Sequence, residues 1–304
     1  MRSKKARIFL IIGLSLFSLA CSLCLGSASL QQPLVFFELR LPRTEAAFIT
    51  GGCLSLAGCL MQLLLVNPLA DPYILGLSGG ASVGALLAVL FFGTLGASFT
   101  GAWLGSLAAM LALLLLAKHH RFHTHTLLLM GVALASLLSA LASLIAITLP
   151  ASTTRPVLFW LAGDLNGATP TAYALPVLLS ALVLSLFLAR GYNVLARGHQ
   201  EARALGLPLT AYRLSLFLLS AVLTATAVTI AGCIGFIGLI IPHLTRRLMG
   251  NDHTFILPTA TLLGGSLLTF ADTLTRTLFS PVQLPIGLGM TLLGVPFLLS
   301  VLST

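Results

Sequence analysis

Residues 57–85 read AGCLMQLLLVNPLADPYILGLSGGASVGA, and they join two apolar segments through a short polar break. Pro68 and Pro72 lack a backbone N–H, and each disfavours helical geometry in the residue before it. Asn67 and Asp71 carry short polar side chains that hydrogen-bond the backbone groups freed by such a break. The stretch therefore predicts a helix that ends near Asn67, a turn, and a second helix.

The second half of this stretch is rich in glycine. Gly76, Gly79, Gly80 and Gly84 remove side chains from the start of the second helix. Small residues let neighbouring helices approach closely inside a membrane. We therefore expect another helix to pack against this segment at short range.

The rest of the chain has the composition of a polytopic membrane protein. Of its 304 residues, 58% are hydrophobic and only 8% are charged, whereas a soluble domain carries about 25% charged residues. The hydrophobic pattern predicts about ten transmembrane helices, at residues 8–30, 46–66, 74–95, 98–117, 126–149, 171–190, 212–231, 233–248, 255–274 and 283–302. Between the fifth and sixth spans, residues 157–162 predict a short interfacial helix that carries Trp160.

The net charge of +9 reports orientation in a membrane. The basic residues lie in short loops between apolar runs, which argues against a nucleic-acid partner and for the positive-inside pattern. With the N-terminus inside, twelve Lys and Arg residues fall on the cytoplasmic side and four on the outside. This bias predicts a multi-pass membrane protein with both termini in the cytoplasm.

The first apolar segment has two interpretations. Four basic residues precede it and small residues follow it, as in a cleaved signal peptide. The apolar run from Ile8 to Leu30 is 23 residues long, whereas the apolar core of a signal peptide has about 7–15. We therefore favour a first transmembrane helix that is retained.

The run NPLADPYILGLSGGA at 67–81 closely resembles a motif of the permeases that import iron-siderophores, haem and cobalamin, which form the FecCD/cobalamin-type family of membrane subunits of ATP-binding-cassette importers. Four later segments match this family in the same order, so the resemblance covers nearly the whole chain. They are WLAGDL at 160–165, EARALG at 201–206, GCIGFIGLIIPH at 232–243 and PVQLPIGLGMTLLGVPF at 281–297. The resemblance implies an all-α fold of the type II importer permease class, with residues 1–304 forming a single transmembrane domain.

The resemblance also implies a function and partners. The chain would be a transport subunit and not an enzyme, and it would pair with a second permease subunit, as a homodimer or with a paralogue. Two ATPase subunits would carry ATP and Mg²⁺, because the sequence has no GxxxxGK[ST] motif of its own. An extracytoplasmic binding protein would deliver the substrate.

Three of the four arginines that the predicted topology places outside are of interest as exceptions to the positive-inside bias. Arg40 and Arg43 precede the second span, and Arg276 follows the ninth. Arginines at helix ends commonly reach toward the interface without further function. The resemblance instead implies that these three residues receive acidic groups of the binding protein. Asp272 lies four residues before Arg276 and is expected to hold that side chain in place.

The cytoplasmic segment 193–208 is the candidate coupling segment. A run of this composition is often a solvated loop. Its EARALG sequence resembles the coupling motif of importer permeases, and a short helix closed by glycine makes a rigid projection. The resemblance implies ATPase contacts by Glu201, Ala202, Leu205 and Gly206.

The family closes its pathway on the cytoplasmic side with the loops after span two and before span five. The matching positions here are Asn67 and Leu69 in the first loop, and Thr124 and His125 in the second. His125 departs from the small hydroxyl residues that the family usually has. Another departure is Gln283, where the family typically has glutamate.

The second of these loops reads KHHRFHTH at 118–125 and invites a metal-binding interpretation. Four of the seven histidines lie here, but no carboxylate or cysteine accompanies them, and metal sites usually fix their ligands on ordered elements. We favour a basic loop without metal.

Two other functions remain open from the residues alone. An ion-coupled secondary transporter or channel would share this composition, although such proteins usually carry ionisable groups near the midplane. A membrane-embedded enzyme would need the histidine-rich loop. Nothing in the sequence selects among iron chelates, haem and cobalamin as the substrate.

Overall fold

The computed structural model describes residues 2–25, 35–93, 95–119, 124–168, 172–278 and 284–302, and within these ranges the regular structure is entirely helical. The twelve α-helices are α1 (Arg2–Cys24), α2 (Leu41–Leu64), α3 (Leu77–Phe92), α4 (Leu95–His119), α5 (Thr124–Thr148), α6 (Ala151–Leu161), α7 (Ala174–Leu195), α8 (His199–Ala204), α9 (Leu209–Ala231), α10 (Ile237–Met249), α11 (His253–Leu278) and α12 (Ile286–Leu302). A π-helical turn, Val35–Arg40, runs directly into α2, and a 3-10 turn, Pro72–Leu75, precedes α3.

Each of the ten predicted spans corresponds to one of these helices, which confirms the all-α, polytopic fold. Seven helices in the described ranges are long and apolar enough to cross a membrane, namely α1, α2, α4, α5, α7, α9 and α11. Helices α3 and α12 are shorter but strongly apolar, and α10 has only 13 residues. The predicted interfacial helix is also present as α6, which begins six residues earlier than expected, at Ala151.

Helix α2 lies at the centre of the bundle, where α7, α9, α10 and α11 pack around it. Two of its glycines mark the closest approaches. A Cβ placed on Gly51 would lie 2.2 Å from the carbonyl oxygen of Gly264 in α11, and one on Gly58 would lie 2.2 Å from that of Gly238 in α10. Without side chains at these points the backbones pack directly against each other, and dispersion forces between them stabilise the bundle.

The break after α2 forms as the prolines and polar residues predict. Helix α2 ends at Leu64, and the Oδ1 atom of Asn67 accepts a hydrogen bond from the backbone N–H of Leu69 (2.9 Å). Asp71 caps the 3-10 turn by accepting from the N–H of Tyr73 (2.8 Å). Gly76 then takes φ +77°, which only glycine adopts without strain, and α3 begins at the next residue.

The predicted close packing of the glycine-rich helix is confirmed. Gly80 and Gly84 of α3 face Gly105 and Gly101 of α4, and a Cβ on Gly84 would lie 2.1 Å from the carbonyl oxygen of Gly101. On the other side of α3, Gly76 and Gly79 contact α5. The glycines therefore form the contact surfaces between α3 and both of its neighbours.

A second interruption of the helices lies at residues 232–236, between α9 and α10. The backbone N–H of Ile234 donates to the hydroxyl of Tyr73 in the 3-10 turn (3.1 Å). The N–H of Asp164 donates to the carbonyl of Ala231 at the end of α9 (2.9 Å). Non-helical backbone inside a membrane protein must be satisfied by neighbouring protein groups, and these contacts do so.

Side-chain contacts define two ends of the bundle. At one end, Arg7 of α1 donates to the carbonyl of Leu248 in α10, so the N-terminus of α1 lies beside the C-terminus of α10. At the other end, Ser22 of α1 hydrogen-bonds Thr44 of α2 (2.7 Å), and Arg276 of α11 also reaches Ser22 (2.9 Å). Arg40, Arg43 and Arg276, three of the four arginines predicted to lie outside, are thus gathered at one end of the molecule.

Candidate docking, gate and coupling sites

Arg43 is the centre of a polar cluster at the end of the bundle that carries the outer arginines. Its Nε and Nη2 atoms donate to the carboxylate of Asp272 at 2.9 and 2.7 Å, and its Nη1 donates to Oδ1 of Asn166 at 2.6 Å. The Asp272 side chain is only 1% exposed, whereas that of Arg43 is 15% exposed. A two-pronged contact of this kind fixes both orientation and distance between α2 and α11.

Arg40 and Arg276 hold the C-terminal end of α1. Arg40 donates to the carbonyls of Leu23 (2.9 Å) and Cys24 (3.1 Å), and Arg276 donates to the carbonyl of Ser22. The last carbonyls of a helix have no partner within the helix and carry partial negative charge, so cations stabilise this end. These contacts make α1 an integral part of the helix bundle.

All three arginines therefore have partners within this chain. Arg276 also lies 4.0 Å from Asp272, as its spacing predicts, but the shorter contact of that carboxylate is with Arg43. Near the cluster in sequence, the carboxylate-bearing residues Glu38 and Glu45 are exposed. Of the three cations, Arg43 is the one whose side chain is most accessible from outside.

The candidate gate loop after α2 is tightly turned and presents an apolar side chain. Asn67 is half-buried and its carboxamide organises the turn, whereas the Leu69 side chain is 42% exposed. The backbone of Thr124 and His125 begins α5, but the side chains of these two residues lie outside the described part of the structure. The two halves of the predicted gate therefore cannot be compared at the level of side-chain contacts.

The coupling segment has the geometry that its glycine predicts. Helix α8 ends in a glycine cap in which the N–H of Gly206 donates to the carbonyl of Arg203 (2.9 Å) and the N–H of Leu207 donates to that of Ala202 (2.9 Å). Gly206 takes φ +76°, and this pair of bonds is the usual way of ending a helix with a left-handed glycine. We refer to α8 and this capped turn, residues 199–207, as the projection.

The four coupling residues divide into a buried and an exposed group. Ala202 is fully buried and packs α8 against the rest of the helix bundle. Glu201 and Gly206 are exposed, and the apolar side chain of Leu205 is 67% exposed. Of the four residues, Glu201, Leu205 and Gly206 are therefore accessible to another protein, and Ala202 is not.

Asn193, at the base of this projection, is tied to the start of α11. Its Nδ2 donates to the carboxylate of Asp252 (2.8 Å), and its Oδ1 accepts from the backbone N–H of His253 (2.8 Å). The hydrogen bond from Asn193 holds the pKa of the Asp252 carboxyl below its ordinary value. Asn193 therefore links the C-terminal part of α7 to the start of α11 by hydrogen bonds.

A cavity of about 580 Å³ between α3, α5 and α6 was not predicted from the sequence. Its walls carry several small hydroxyl-bearing residues, among them Ser78, Ser82, Ser139 and Ser143. The Ser82 and Ser143 hydroxyls donate to carbonyls of their own helices, so the walls are only weakly polar. The sequence signal that could have found this surface is the serine spacing on α5, where residues four positions apart share one face.

Two further expectations fall outside the described structure. Residues 120–123 of the histidine-rich loop and Gln283 are not described. Among the residues that are described, no group of three or more histidine, cysteine, aspartate or glutamate residues is placed to hold a metal ion.

The sequence and the fold are both similar to those of known transport proteins. The chain is 38% identical over 273 residues to the hemin transport system permease protein of Yersinia pestis, covering 87% of this chain and 82% of that protein. It is 36% identical over 301 residues to the vitamin B12 import system permease protein of Vibrio cholerae, covering 95% and 91%. The solved structure of a metal-chelate type ABC transporter in an inward-facing conformation superposes with a TM-score of 0.90 at 31% identity, over 99% of this chain and 100% of that one. A profile of the FecCD transport family matches residues 8–304, and the chain belongs to this family.

Proposed function

We propose that this chain is the membrane-spanning permease subunit of an ATP-binding-cassette importer for iron-siderophore, haem or cobalamin-type chelates. The observation that carries the proposal is the family match over residues 8–304. Relatives across the family include permeases for hemin, vitamin B12 and iron(3+)-hydroxamate. The chain itself would catalyse no covalent step, and ATP and Mg²⁺ would be bound by separate ATPase subunits.

The complex that we propose has two permease subunits and two ATPase subunits in the bacterial inner membrane, with both permease termini in the cytoplasm. Helix α8 and the exposed Leu205 would contact the ATPase. The α3–α5–α6 cavity, with its weakly polar serine walls, would form part of the substrate pathway. Such walls suit a bulky chelate, because a pathway that binds its substrate weakly lets the substrate leave again.

The experiment is uptake into proteoliposomes that contain this chain, its ATPase and the binding protein, with ferric siderophore, haem and cobalamin each tested as substrate. We expect uptake of one of these three substrate classes. This uptake should require ATP, and it should disappear when the ATPase is unable to hydrolyse ATP. Uptake driven by an ion gradient in liposomes without the ATPase would instead favour a secondary transporter and would overturn the proposal.

Docking of the binding protein is proposed at the arginine cluster, with Arg43 as the directly contacting cation and with Arg40 and Arg276 supporting α1 behind it. The partial exposure of the Arg43 side chain supports this division. Charge pairs across such an interface mainly steer association and fix its register, so the effect should weaken with salt.

The docking test uses three variants in nanodiscs. Arg43→Gln removes the cation, and we expect it to weaken binding of the binding protein about tenfold at low salt. Asp272→Asn breaks the same ion pair but keeps the guanidinium, and should retain docking in any folded preparation. Glu45→Gln removes a neighbouring exposed carboxylate. Loss of docking in Glu45→Gln with normal docking in Arg43→Gln would show that the carboxylates are the contact groups and would exclude the arginine assignment.

A further inference from the structure

A second cavity, of about 280 Å³, lies at the opposite end of the bundle from the arginine cluster. It is enclosed by the end of α2, the gate loop, the end of α7, α10 and the start of α11. Its polar lining residues are Gln62, Asn67, Arg246, Asn251 and His253, and its apolar walls include Leu63 and Ile256. The cavity thus touches both the gate loop and Leu195 and Ala196, where the coupling segment begins.

Arg246 brings a positive charge into this cavity. Its Nη2 atom donates to Oε1 of Gln62 at 2.6 Å, and the Nε2 atom of the same carboxamide donates to the carbonyl of Gly238 at 3.2 Å. Within the described residues, the ion pairs within 4.0 Å involve Arg43 and Arg276 but not Arg246. A half-buried guanidinium that is bonded to a neutral amide keeps its full charge and gains from a nearby anion.

The acidic residue closest in sequence does not supply that anion. The carboxylate of Asp252 accepts from Asn193 (2.8 Å) and from the N–H of Thr254 (3.0 Å), and it does not line the cavity. Cys59, which also lines the cavity, is fully buried within the membrane helix α2 and is neutral as a thiol. The cavity therefore contains one cation and no described carboxylate.

The remaining polar groups are suited to the oxygens of an anion. The Oδ1 atom of Asn67 accepts from Leu69, which leaves its NH₂ group as the free donor. Asn251 is exposed and lies two residues before the first residue of α11. The first backbone N–H groups of α11 are already bonded to Asn193 and Asp252, so the side-chain amides and not the helix end supply the additional donors.

We propose that this cavity is a binding site for a phosphate group, with Arg246 as the charged ligand and the amides of Asn67 and Asn251 as additional donors. Arginine is matched to phosphate because its planar fork of N–H groups contacts two oxygens at once. The phosphate comes either as free phosphate from the surrounding solution or as the headgroup of an anionic lipid. A bound phosphate would bridge the gate loop and the base of the coupling segment.

The first test titrates inorganic phosphate into the full chain in a phosphate-free maltoside detergent and measures thermal stability. We expect phosphate, but not chloride at equal ionic strength, to raise the melting temperature of the wild type. Arg246→Gln should weaken the apparent affinity at least tenfold. Arg247→Gln is the matched control, because it removes the same charge from the neighbouring, exposed residue.

The second test identifies a lipid source. Native mass spectrometry would compare retention of phosphatidylglycerol, relative to diacylglycerol, on the wild type and on the two arginine variants. Selective loss of phosphatidylglycerol in Arg246→Gln, with no phosphate response in detergent, would assign the site to a lipid headgroup.

Ala196→Phe is a second variant that tests the site even if Arg246→Gln fails to fold. Ala196 is exposed at the mouth of the cavity, so the larger side chain blocks entry while Arg246 and its hydrogen bond to Gln62 remain. We expect Ala196→Phe to abolish the rise in melting temperature with phosphate or the selective retention of phosphatidylglycerol. If neither ligand distinguishes the wild type from Arg246→Gln and Ala196→Phe, the proposal is wrong. Both tests measure binding without transport, so they are independent of the function proposed above.

Discussion

At the scale of single residues, the arginines show what a sequence establishes and what it omits. Arg40, Arg43 and Arg276 were identified because the predicted topology places them on the side of the membrane that usually lacks positive charge. Their partners could not be identified in the same way. Asn166 is 123 residues from Arg43, and Ser22 is 254 residues from Arg276. Only the packing of α1, α2 and α11 brings these groups together.

The cluster predicts that Asp272 stabilises the fold. Asp272→Asn would leave the guanidiniums of Arg43 and Arg276 close together in a largely buried site without their shared carboxylate. Removing one partner of a buried ion pair is strongly destabilising, so we expect the free energy of unfolding to fall by about 3 kcal/mol. Chemical denaturation in detergent, followed by tryptophan fluorescence, would measure the change.

Glu45→Gln is the control for that measurement. Glu45 also lies near the start of α2, but its side chain is exposed. Surface substitutions of this kind usually change stability by less than about 0.5 kcal/mol. Equal stability of Asp272→Asn and Glu45→Gln would mean that the buried carboxylate contributes nothing to the fold.

At the scale of helices, the glycines of α3 correctly predicted its close contacts with neighbouring helices, because a missing side chain acts only on the immediate surroundings. Gly84→Ala would place a Cβ 2.1 Å from the carbonyl oxygen of Gly101, and neither backbone can move without separating α3 from α4. Overpacking of this kind costs about 1–3 kcal/mol. We expect a loss of about 2 kcal/mol, read from the melting temperature.

Gly13→Ala makes the same substitution in α1 and is the control for Gly84→Ala. No atom lies within 4 Å of a Cβ placed on Gly13 of α1, and alanine has a higher helix propensity than glycine. This variant should be as stable as the wild type or slightly more stable. A similar loss in both variants would indicate a general intolerance of alanine and not a close contact between α3 and α4.

The ends of helices were harder to predict than their existence. The first span was expected at residues 8–30, but α1 already begins at Arg2 and ends at Cys24. Charged residues at 2–7 can continue a helix beyond the hydrocarbon, which a hydrophobicity pattern does not register. Helix α6 likewise continues through Pro156, because a proline weakens a helix without always ending it.

The coupling projection predicts a separation of binding from stability. Leu205→Ser changes a side chain that is 67% exposed, so the permease should remain as stable as the wild type to within about 0.5 kcal/mol. If Leu205 is an anchor for the ATPase, its loss should weaken association about tenfold. Co-purification and titration with the ATPase would measure the effect.

Ala204→Ser is the corresponding control on the same helix. Ala204 is exposed one residue before Leu205, and the serine adds a polar atom of similar size. Normal ATPase binding in this variant and reduced binding in Leu205→Ser would locate the contact. Unchanged binding in both would remove Leu205 from the interface.

At the scale of the whole molecule, the charge pattern and the structure agree on which groups share an end. The basic residues near the N-terminus lie beside the end of α10, where Arg7 contacts Leu248. The arginine cluster lies at the opposite end, with Ser22 and Thr44. The sequence predicted this segregation because the positive-inside rule depends only on the order of loops and charges. The cavities between helices could not be predicted, since they depend on how the helices are packed.

The last prediction tests which end faces the cytoplasm. Glu45→Cys and Leu205→Cys place thiols at exposed positions on opposite ends of the bundle. Both are introduced into a chain in which Cys21 and Cys24, the first of which is partly buried and the second exposed, are replaced by serine. A membrane-impermeant maleimide added to intact cells should label Glu45→Cys, and Leu205→Cys should react only in inverted vesicles.

This orientation follows from energetics as well as from sequence pattern. Twelve of the sixteen Lys and Arg residues lie in segments predicted to be cytoplasmic, and translocating those segments would carry most of the chain's positive charge across the hydrocarbon. ATP is a cytoplasmic ligand of the proposed partner, so α8 can contact an ATPase only from the cytoplasm. Labelling of Leu205→Cys in intact cells would therefore contradict both the predicted topology and the proposal that a cytoplasmic ATPase drives transport.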